Sequence, residues 1–188
     1  RVYDHLISHI DVFPTICEIL GLKKPDYLEG ISFEGIFEDQ TKIIRDEIYA
    51  EINFHTSYEP ARCIRGSRYK YVRYFDESWL RLNLSNIDES PSKTYLMDYG
   101  LDGMEKPAEA LYDCQYDSCE TNNLICEEGL RNVAAELKEK LGEHMIRTED
   151  PLLQGPLEIK KNYKVNKVTC LTASSKNPDD YDPRGRTQ

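Results

Sequence analysis

The sequence predicts an α+β fold in which a small antiparallel β-sheet packs against a long C-terminal helix. Apolar and polar residues alternate over 48–54, and aromatic and basic residues alternate over 69–75, as they do in half-buried strands. Gly66-Ser67 between these stretches is typical of a hairpin turn, which makes neighbouring strands antiparallel. Over 127–145 the apolar residues recur at helical spacing instead, so one long helix is expected to cover a face of the sheet.

A short helix is predicted near the start of the chain. Its apolar residues follow the i, i+3, i+4, i+7 spacing of a core-facing stripe, namely Phe13, Ile16, Cys17 and Leu20. Asp11 is placed to cap the first turn, and Gly21 is placed to end the helix. The spacing therefore predicts a helix that buries one side.

A polar loop follows the first strand. Residues 55–60 bring together a histidine, two hydroxyl groups, a tyrosine and a carboxylate, and Pro60 is expected to break the strand before it resumes at 61–64. Residues 78–103 are predicted as an excursion from the sheet with a short helix over 93–99. Residues 109–113 are predicted as the last strand. Long ordered insertions of this kind often carry function.

The long helix carries charged residues opposite its apolar stripe, with Glu136 and Lys140 in the favourable i, i+4 order. The stripe consists of Leu130, Val133, Ala134, Leu137, Leu141 and Met145. Thr148-Glu-Asp-Pro151 is expected to end the helix. Beyond Leu157 the pattern predicts a strand or a wrapped arm, and the composition of 172–188 predicts a mobile tail.

Charge and composition exclude some classes of function. The chain has 34 acidic and 24 basic residues and a net charge of −10, which argues against nonspecific nucleic-acid binding. No apolar run approaches the roughly 20 residues that cross a membrane. We therefore expect neither a nucleic acid nor a membrane as partner. A local basic cluster is interpreted either as a strand face that balances acidic neighbours or as a site for a polyanionic substrate; it comprises Arg62, Arg65, Arg68, Lys70 and Arg73.

The residues by themselves nominate no nucleophile and no metal site. The sequence has no Gly-rich phosphate loop, no Gly-x-Ser-x-Gly turn and no His-Glu-x-x-His. Cys17 and Cys63 are predicted as buried thiols. The three cysteines at 114, 119 and 126 are close together in sequence, so they could form a disulfide or bind a metal, and the alternative is that they are free thiols. The acidic residues of 113–120 do not have EF-hand spacing and are interpreted as turn and cap residues.

Four blocks of sequence, in this order, resemble the later part of the sulfatase family. The first is Ser8-x-Ile-Asp-x-x-Pro-Thr15, which is similar to a helix of that family. The second is Ala61–Val72, with an arginine followed by Arg-Tyr-Lys-Tyr. The third is Leu111-Tyr-Asp113 followed by Glu120-x-x-Asn-Leu124, although the proline that the family usually has after the second aspartate is replaced here by Ser118. The fourth is the helix from Glu127 with its stop at 148–151.

The four blocks cover roughly residues 1–157, and the chain looks most like sulfamidase-like (heparan N-sulfatase-like) members. These members carry an element similar to Tyr58-Glu-Pro-Ala-Arg62 and continue past the aspartate-proline stop. The resemblance implies a hydrolase of sulfate esters or N-sulfates, with a sulfated glycan or another sulfate ester as substrate. In that family a cysteine or serine in Cys-x-Pro-x-Arg becomes formylglycine and attacks sulfur, and calcium stabilises the sulfate oxygens.

No cysteine of this chain is followed by x-Pro-x-Arg. The resemblance therefore implies formylglycine and calcium in a missing N-terminal domain, which would be the main partner of a chain that is inactive alone. The start at Arg1 is likewise expected of a fragment. Residues 1–45, with the first helix, would end the large α/β sulfatase domain, residues 46–157 would form the C-terminal subdomain, and residues 158–188 would form the arm and tail.

The subdomain would complete the fold and line the rim of the substrate cleft. Substrate contacts are predicted for His55, Tyr58, Glu59 and Arg62, since an arginine fork suits a carboxylate or a sulfate. The alternative role for these residues is to join the subdomain to the missing domain. Two other functions stay open: part of a phosphate or phosphonate ester hydrolase of the same alkaline-phosphatase superfamily, and a stand-alone binding module.

Overall fold

The computed structural model describes residues 2–185 and confirms the α+β fold class. Its helices and strands in chain order are α1 Val12–Ile19, β1 Glu47–Phe54, β2 Tyr58–Gly66, β3 Tyr69–Tyr74, α2 Pro91–Asp98, β4 Glu109–Asp113 and α3 Arg131–Arg147. The strands form one antiparallel sheet in the order β1-β2-β3-β4. Within residues 2–185, no helix combines the length and the apolar character needed to cross a bilayer.

The two faces of the sheet have different neighbours. One face packs against α3, and the buried residues between them form the main core: Ile64, Tyr71, Leu111, Leu137, Leu141, Met145 and Leu152. The three α3 residues of this core recur every four positions, which confirms the predicted stripe. The predicted ion pair between Glu136 and Lys140 forms at 3.2 Å on the outer side. The opposite face of the sheet is open and carries a groove of about 670 Å³.

Pro60 lies inside β2, so the predicted strand break at this residue is wrong. Ile52 pairs with Ala61 and Phe54 pairs with Tyr58, which leaves two residues of β2 opposite one residue of β1. Such a bulge interrupts the ladder, so the missing N–H of Pro60 does not cost a ladder hydrogen bond. The Pro60 carbonyl still accepts a hydrogen bond from the Phe75 N–H at 2.9 Å.

The start of α1 is held by Asp11, which is fully buried. Its carboxylate accepts hydrogen bonds from the Ser8 and Ile31 N–H groups, each at 2.8 Å, and pairs with Arg45. The carboxylate thus joins three segments. The prediction that it caps the first turn of α1 is wrong, because it accepts no hydrogen bond from that turn. Gly21 follows the helix with a φ of 63°, as expected for a helix stop.

The predicted core stripe of α1 faces outward in the described residues. Cys17 is 3% exposed, but Phe13 is 48%, Ile16 is 47% and Leu20 is 64% exposed. The spacing correctly predicted the helix, and three residues of its apolar stripe have no cover within the described residues. An apolar face of this size on a short helix normally packs against another element.

The insertion between β3 and β4 contains α2. This helix begins two residues earlier than predicted, because the Ser90 side chain accepts a hydrogen bond from the Lys93 N–H and Pro91 occupies the first turn. Lys93 Nζ donates to the carbonyls of Ile87 at 3.0 Å and Leu171 at 2.7 Å. The insertion is thereby tied to the C-terminal segment.

The C-terminal segment runs past the end of the sheet as far as the described residues extend. Ile159 and Val165 are buried in a small second core with Tyr58. Asn166 makes isolated bridges to Ser57 and Tyr181, so this part forms a wrapped arm and not a strand. Residues 186–188 of the predicted tail lie outside the described residues.

Candidate functional site

The predicted substrate residues lie at the connection between β1 and β2. We call residues 55–59 the His55 loop. His55 is exposed, and its backbone N–H donates to the Ser57 carbonyl at 3.3 Å. Tyr58 and Glu59 are the first two residues of β2. The structure therefore brings His55, Tyr58 and Glu59 together at one end of the sheet.

Tyr58 is 4% exposed and fixes the C-terminal segment to the sheet. Its hydroxyl accepts a hydrogen bond from the Leu157 N–H at 3.0 Å. Its ring packs at a tilt against Phe54, with centroids 5.2 Å apart, and the Arg184 guanidinium lies 5.5 Å from the centroid. Tyr58 also packs with Ile159 and Val165 in the second core.

Both carboxylate oxygens of Glu59 have partners. Oε2 accepts a hydrogen bond from Asn86 Nδ2 at 2.6 Å, and Oε1 forms an ion pair with Lys106. Lys106 Nζ also lies 4.8 Å from the centroid of the Tyr74 ring. Since the Glu59 and Lys106 side chains are 17% and 9% exposed, this pair is largely shielded from solvent.

The Arg62 side chain lies on the side of the sheet where α3 ends, and it is paired with Asp150. Its Nε and Nη2 donate to the two oxygens of Asp150 at 2.5 and 3.0 Å, which is a bidentate pair. Its Nη1 donates to Asn53 Oδ1 at 2.9 Å and to the Ile52 carbonyl at 3.1 Å. Arg62 is 3% exposed, so the fork expected to hold a sulfate is occupied by Asp150.

The electrostatics of this pair favour the ionised state of Asp150. Burial by itself raises the pKa of the Asp150 carboxyl, but hydrogen bonds from Arg62 and from the Leu152 N–H outweigh burial and hold that pKa below its usual value. The same carboxylate caps the 3-10 turn Pro151–Gln154. Asp150 therefore joins β2 to the chain that leaves α3.

Two asparagines that the sequence analysis did not select hold the His55 loop. Asn86 Oδ1 accepts hydrogen bonds from the N–H groups of Thr56 and Ser57, each at 2.9 Å. Asn83 Nδ2 donates to the Tyr58 carbonyl at 2.9 Å. The only signal for them in the sequence was their place in the long insertion over 78–103.

The other cations of the basic cluster mostly face carboxylates. Three pairs form: Arg68 with Asp113, Lys70 with Glu120, and Arg73 with Glu109. Arg65 differs, because its Nε is buried and has no hydrogen-bond partner in the part of the chain that the structure describes. This arrangement favours the interpretation in which the basic strand balances acidic neighbours.

The described chain offers no site for a metal or an activated thiol. Among residues 2–185, no group of three or more His, Cys, Asp or Glu side chains could hold a metal ion. All six cysteines are free thiols. Burial raises the pKa of Cys63 to about 11, so this thiol stays protonated at neutral pH. Asp113 and Asp117 accept hydrogen bonds from the N–H groups of Gln115 and Asn122, which are turn roles.

Comparison with known proteins gives a family match over the first half of the chain. The model of the family described as "N-sulphoglucosamine sulphohydrolase, C-terminal" matches residues 1–95. These residues include α1, the whole of β1, β2 and β3, and the His55 loop with its two asparagines. The match thus covers just over half of the 188 residues.

Two curated relatives are sulfatases of bacterial origin. An ulvan-active sulfatase of Formosa agariphila is 30% identical over 143 residues, which are 73% of this chain and 28% of the relative. A Delta 4,5-hexuronate-2-O-sulfatase of Bacteroides thetaiotaomicron is 26% identical over 153 residues, which are 78% of this chain and 26% of the relative. The chain therefore spans little more than a quarter of the length of these relatives.

A solved structure described as a 2-O GAG sulfatase has the same architecture. It superposes with a TM-score of 0.57 at 25% sequence identity and covers 82% of this chain, whereas the chain covers 28% of that structure. The aligned part, 82% of this chain, is larger than the 95 residues of the family match. The likeness therefore extends beyond the residues of the family match.

Proposed function

We infer the function from the premise that the chain belongs to the family of N-sulphoglucosamine sulphohydrolase C-terminal domains. It is a C-terminal sulfatase domain, and we propose that the protein that carries it hydrolyses sulfate esters or N-sulfates of a sulfated glycan. Two findings support this proposal. The family model matches residues 1–95, and the curated relatives are sulfatases about four times as long as the segment that aligns with this chain.

Calcium and formylglycine are the groups that the sulfatase family implies, and the residues of this chain do not fit them. No cysteine is followed by x-Pro-x-Arg, and the described residues supply no cluster of metal ligands. Both groups are therefore assigned to the part of the protein outside this chain. What the present residues can do is complete the fold and hold a substrate at the rim of the cleft.

The outward face of α1 is the proposed contact with the rest of the sulfatase. Three large apolar side chains of this helix, Phe13, Ile16 and Leu20, are each about half exposed or more. The buried pair of Asp11 and Arg45 holds the helix in a fixed position on this chain. Residues 1–45 would accordingly end the large α/β domain, residues 46–157 would form the C-terminal subdomain, and residues 158–188 would form the arm and tail.

At the cleft rim, the proposed substrate contact is strongest for His55. Its side chain is exposed, while Tyr58 and Glu59 beside it are held by protein partners. For Tyr58 and Glu59 we propose that their backbone and their fixed side chains support His55. A direct substrate contact of Arg62 stays a prediction that requires Asp150 to release the guanidinium.

The experiment that tests this function uses the intact protein that carries the chain. Sulfate release from sulfated oligosaccharides is measured by ion chromatography beside the hydrolysis of a small aryl sulfate and of phosphate and phosphonate monoesters. We expect sulfate release from the glycan, and a higher rate with phosphonate esters would favour the other superfamily activity instead. No release of sulfate or phosphate would support the binding module.

The role of His55 is tested in the same protein. His55→Ala should raise KM for the sulfated oligosaccharide more than KM for the small aryl sulfate, because only the larger substrate reaches the rim. Equal effects on the two substrates would remove the rim contact. The 188-residue chain alone should release no sulfate.

A further inference from the structure

We propose that a turn in the insertion between β3 and β4 sets the orientation of the His55 loop and thereby determines how a glycan is held. This asparagine turn comprises residues 83–86, with Asn83 and Asn86 at its two ends. The inference rests on the proposed function for its consequence, but the geometry of the turn stands by itself. Its residues touch the loop and not the substrate, so they are positioning residues.

Asn86 binds polar groups of three loop residues, Thr56, Ser57 and Glu59, with one amide. Its Oδ1 lies 2.9 Å from each of the Thr56 and Ser57 nitrogens, and its Nδ2 lies 2.6 Å from Glu59 Oε2. The Thr56 and Ser57 hydroxyls also lie within hydrogen-bond distance of this Oδ1, at 3.0 and 3.2 Å. One side chain therefore fixes both the backbone of the loop and the carboxylate that ends it.

The two loop hydroxyls also have partners on the turn. Thr56 Oγ1 donates to the Ser85 carbonyl, and Ser57 Oγ accepts a hydrogen bond from Asn83 Nδ2 at 3.0 Å. Asn83 Nδ2 also donates to the Tyr58 carbonyl at 2.9 Å. Every loop residue from 56 to 59 is thus bound to the turn, and Ser57 and Ser85 are fully buried.

His55 is the residue that this arrangement leaves free. It sits directly before the clamped residues, it is exposed, and its N–H is bound to the Ser57 carbonyl. A side chain that meets a substrate is most effective when the backbone behind it is already fixed, because no ordering cost is then incurred on binding. The asparagine turn supplies that fixed backbone.

The amide at position 86 is chemically specific. An aspartate would keep the two acceptors for Thr56 and Ser57, but it would lose the donor to Glu59 and place two carboxylates side by side. A glutamine at position 59 would restore a donor facing that aspartate. The pair Asn86→Asp and Glu59→Gln therefore offers a test by loss and rescue.

The test uses the intact protein and two readouts. Amide hydrogen exchange by mass spectrometry is followed in peptides that cover 54–60, and KM is measured for a sulfated oligosaccharide and for a small aryl sulfate. N86D should raise exchange in the loop and increase KM for the oligosaccharide about tenfold, the size expected for one hydrogen bond to a charged group. KM for the aryl sulfate should stay within about twofold.

Two further variants complete the test. N86D/E59Q should return loop exchange toward the wild-type value, and N132D, the same substitution at an exposed position of α3, should change neither readout. Unchanged loop exchange in N86D, or faster exchange that N86D/E59Q does not reverse, would overturn the clamp. Faster exchange with an equal rise in KM for both substrates would overturn its role in glycan selection.

Failure of the proposed function gives a different result. In that case the wild-type protein itself releases no sulfate from any glycan, which removes the role in glycan selection as well. The exchange measurement still decides whether the asparagine turn holds the loop. The two failures are therefore distinguished by the activity of the wild-type protein.

Discussion

Replacing Arg62 with alanine should lower the free energy of unfolding by about 3–5 kcal/mol, the usual cost of removing one partner of a buried ion pair. Arg62 and Asp150 are 3% and 6% exposed, and two short hydrogen bonds join them. Without Arg62, the one hydrogen bond that the Asp150 carboxylate keeps among residues 2–185 is from the Leu152 N–H at 2.9 Å. For a chain of this size, roughly 2–4 °C per kcal/mol makes the expected loss of Tm about 6–20 °C.

The assay is urea unfolding followed by the fluorescence of Trp79, the single tryptophan of the sequence. The matched control is Arg68→Ala on the same sheet, because the Arg68 side chain is 45% exposed whereas that of Arg62 is 4% exposed. Asp150→Asn in the Arg62→Ala background should recover part of the loss. If R62A costs no more than R68A, the buried pair does not stabilise the fold, and the guanidinium is available to a ligand as the sequence had suggested.

Three further predictions concern the core and the titratable groups. Leu141→Ala should cost about 2–5 kcal/mol in the same urea assay, because Leu141 is 4% exposed between the sheet and α3, and a cost below about 1 kcal/mol would show that the interface can collapse around the cavity. Burial, and then the nearby Arg147, lower the pKa of His144. The contribution of neutral His144 to the free energy of unfolding should therefore be fully present above about pH 6.5 and should be lost as the pH decreases below that value. Unfolding free energies measured over a pH series on the wild type and on His144→Asn check this, and an equal slope in the two proteins contradicts it. Because burial raises the pKa of Cys63 to about 11, iodoacetamide at pH 8 should alkylate Cys63 much more slowly than the exposed Cys126, and similar rates by mass spectrometry would refute the assignment.

Local patterns were sufficient for much of the fold. The strand at Glu109–Asp113 has the predicted bounds, and the long helix ends at Arg147, directly before the predicted stop at 148–151. The helix begins at Arg131 and not at Glu127, because a 3-10 turn occupies Glu128–Leu130. Alternation and helical spacing are properties of consecutive residues, so the sequence could predict both elements. Pro60 shows the limit of such reasoning. Its effect on β2 depends on a bulge formed with β1, and no pattern within β2 announces that bulge.

The candidate site was predicted in part. The sequence selected His55, which the structure leaves exposed, but it also selected Arg62 for its fork. In the structure the Arg62 guanidinium donates both hydrogen bonds of this fork to Asp150. Asn86 was overlooked because an asparagine in a polar insertion has no distinctive spacing. Its role follows only from its contacts with three residues at the end of the sheet, Thr56, Ser57 and Glu59.

The sequence by itself determined the secondary structure, the antiparallel sheet with its covering helix, and the sulfatase family, which the family match confirms. Only the tertiary structure decided which side chains are partners. Arg62 and Asp150 are 88 positions apart, and Thr56 and Asn86 are 30 apart. Periodicity reports the environment of each residue along the chain, whereas a buried ion pair or a hydrogen-bonded loop depends on where distant segments meet.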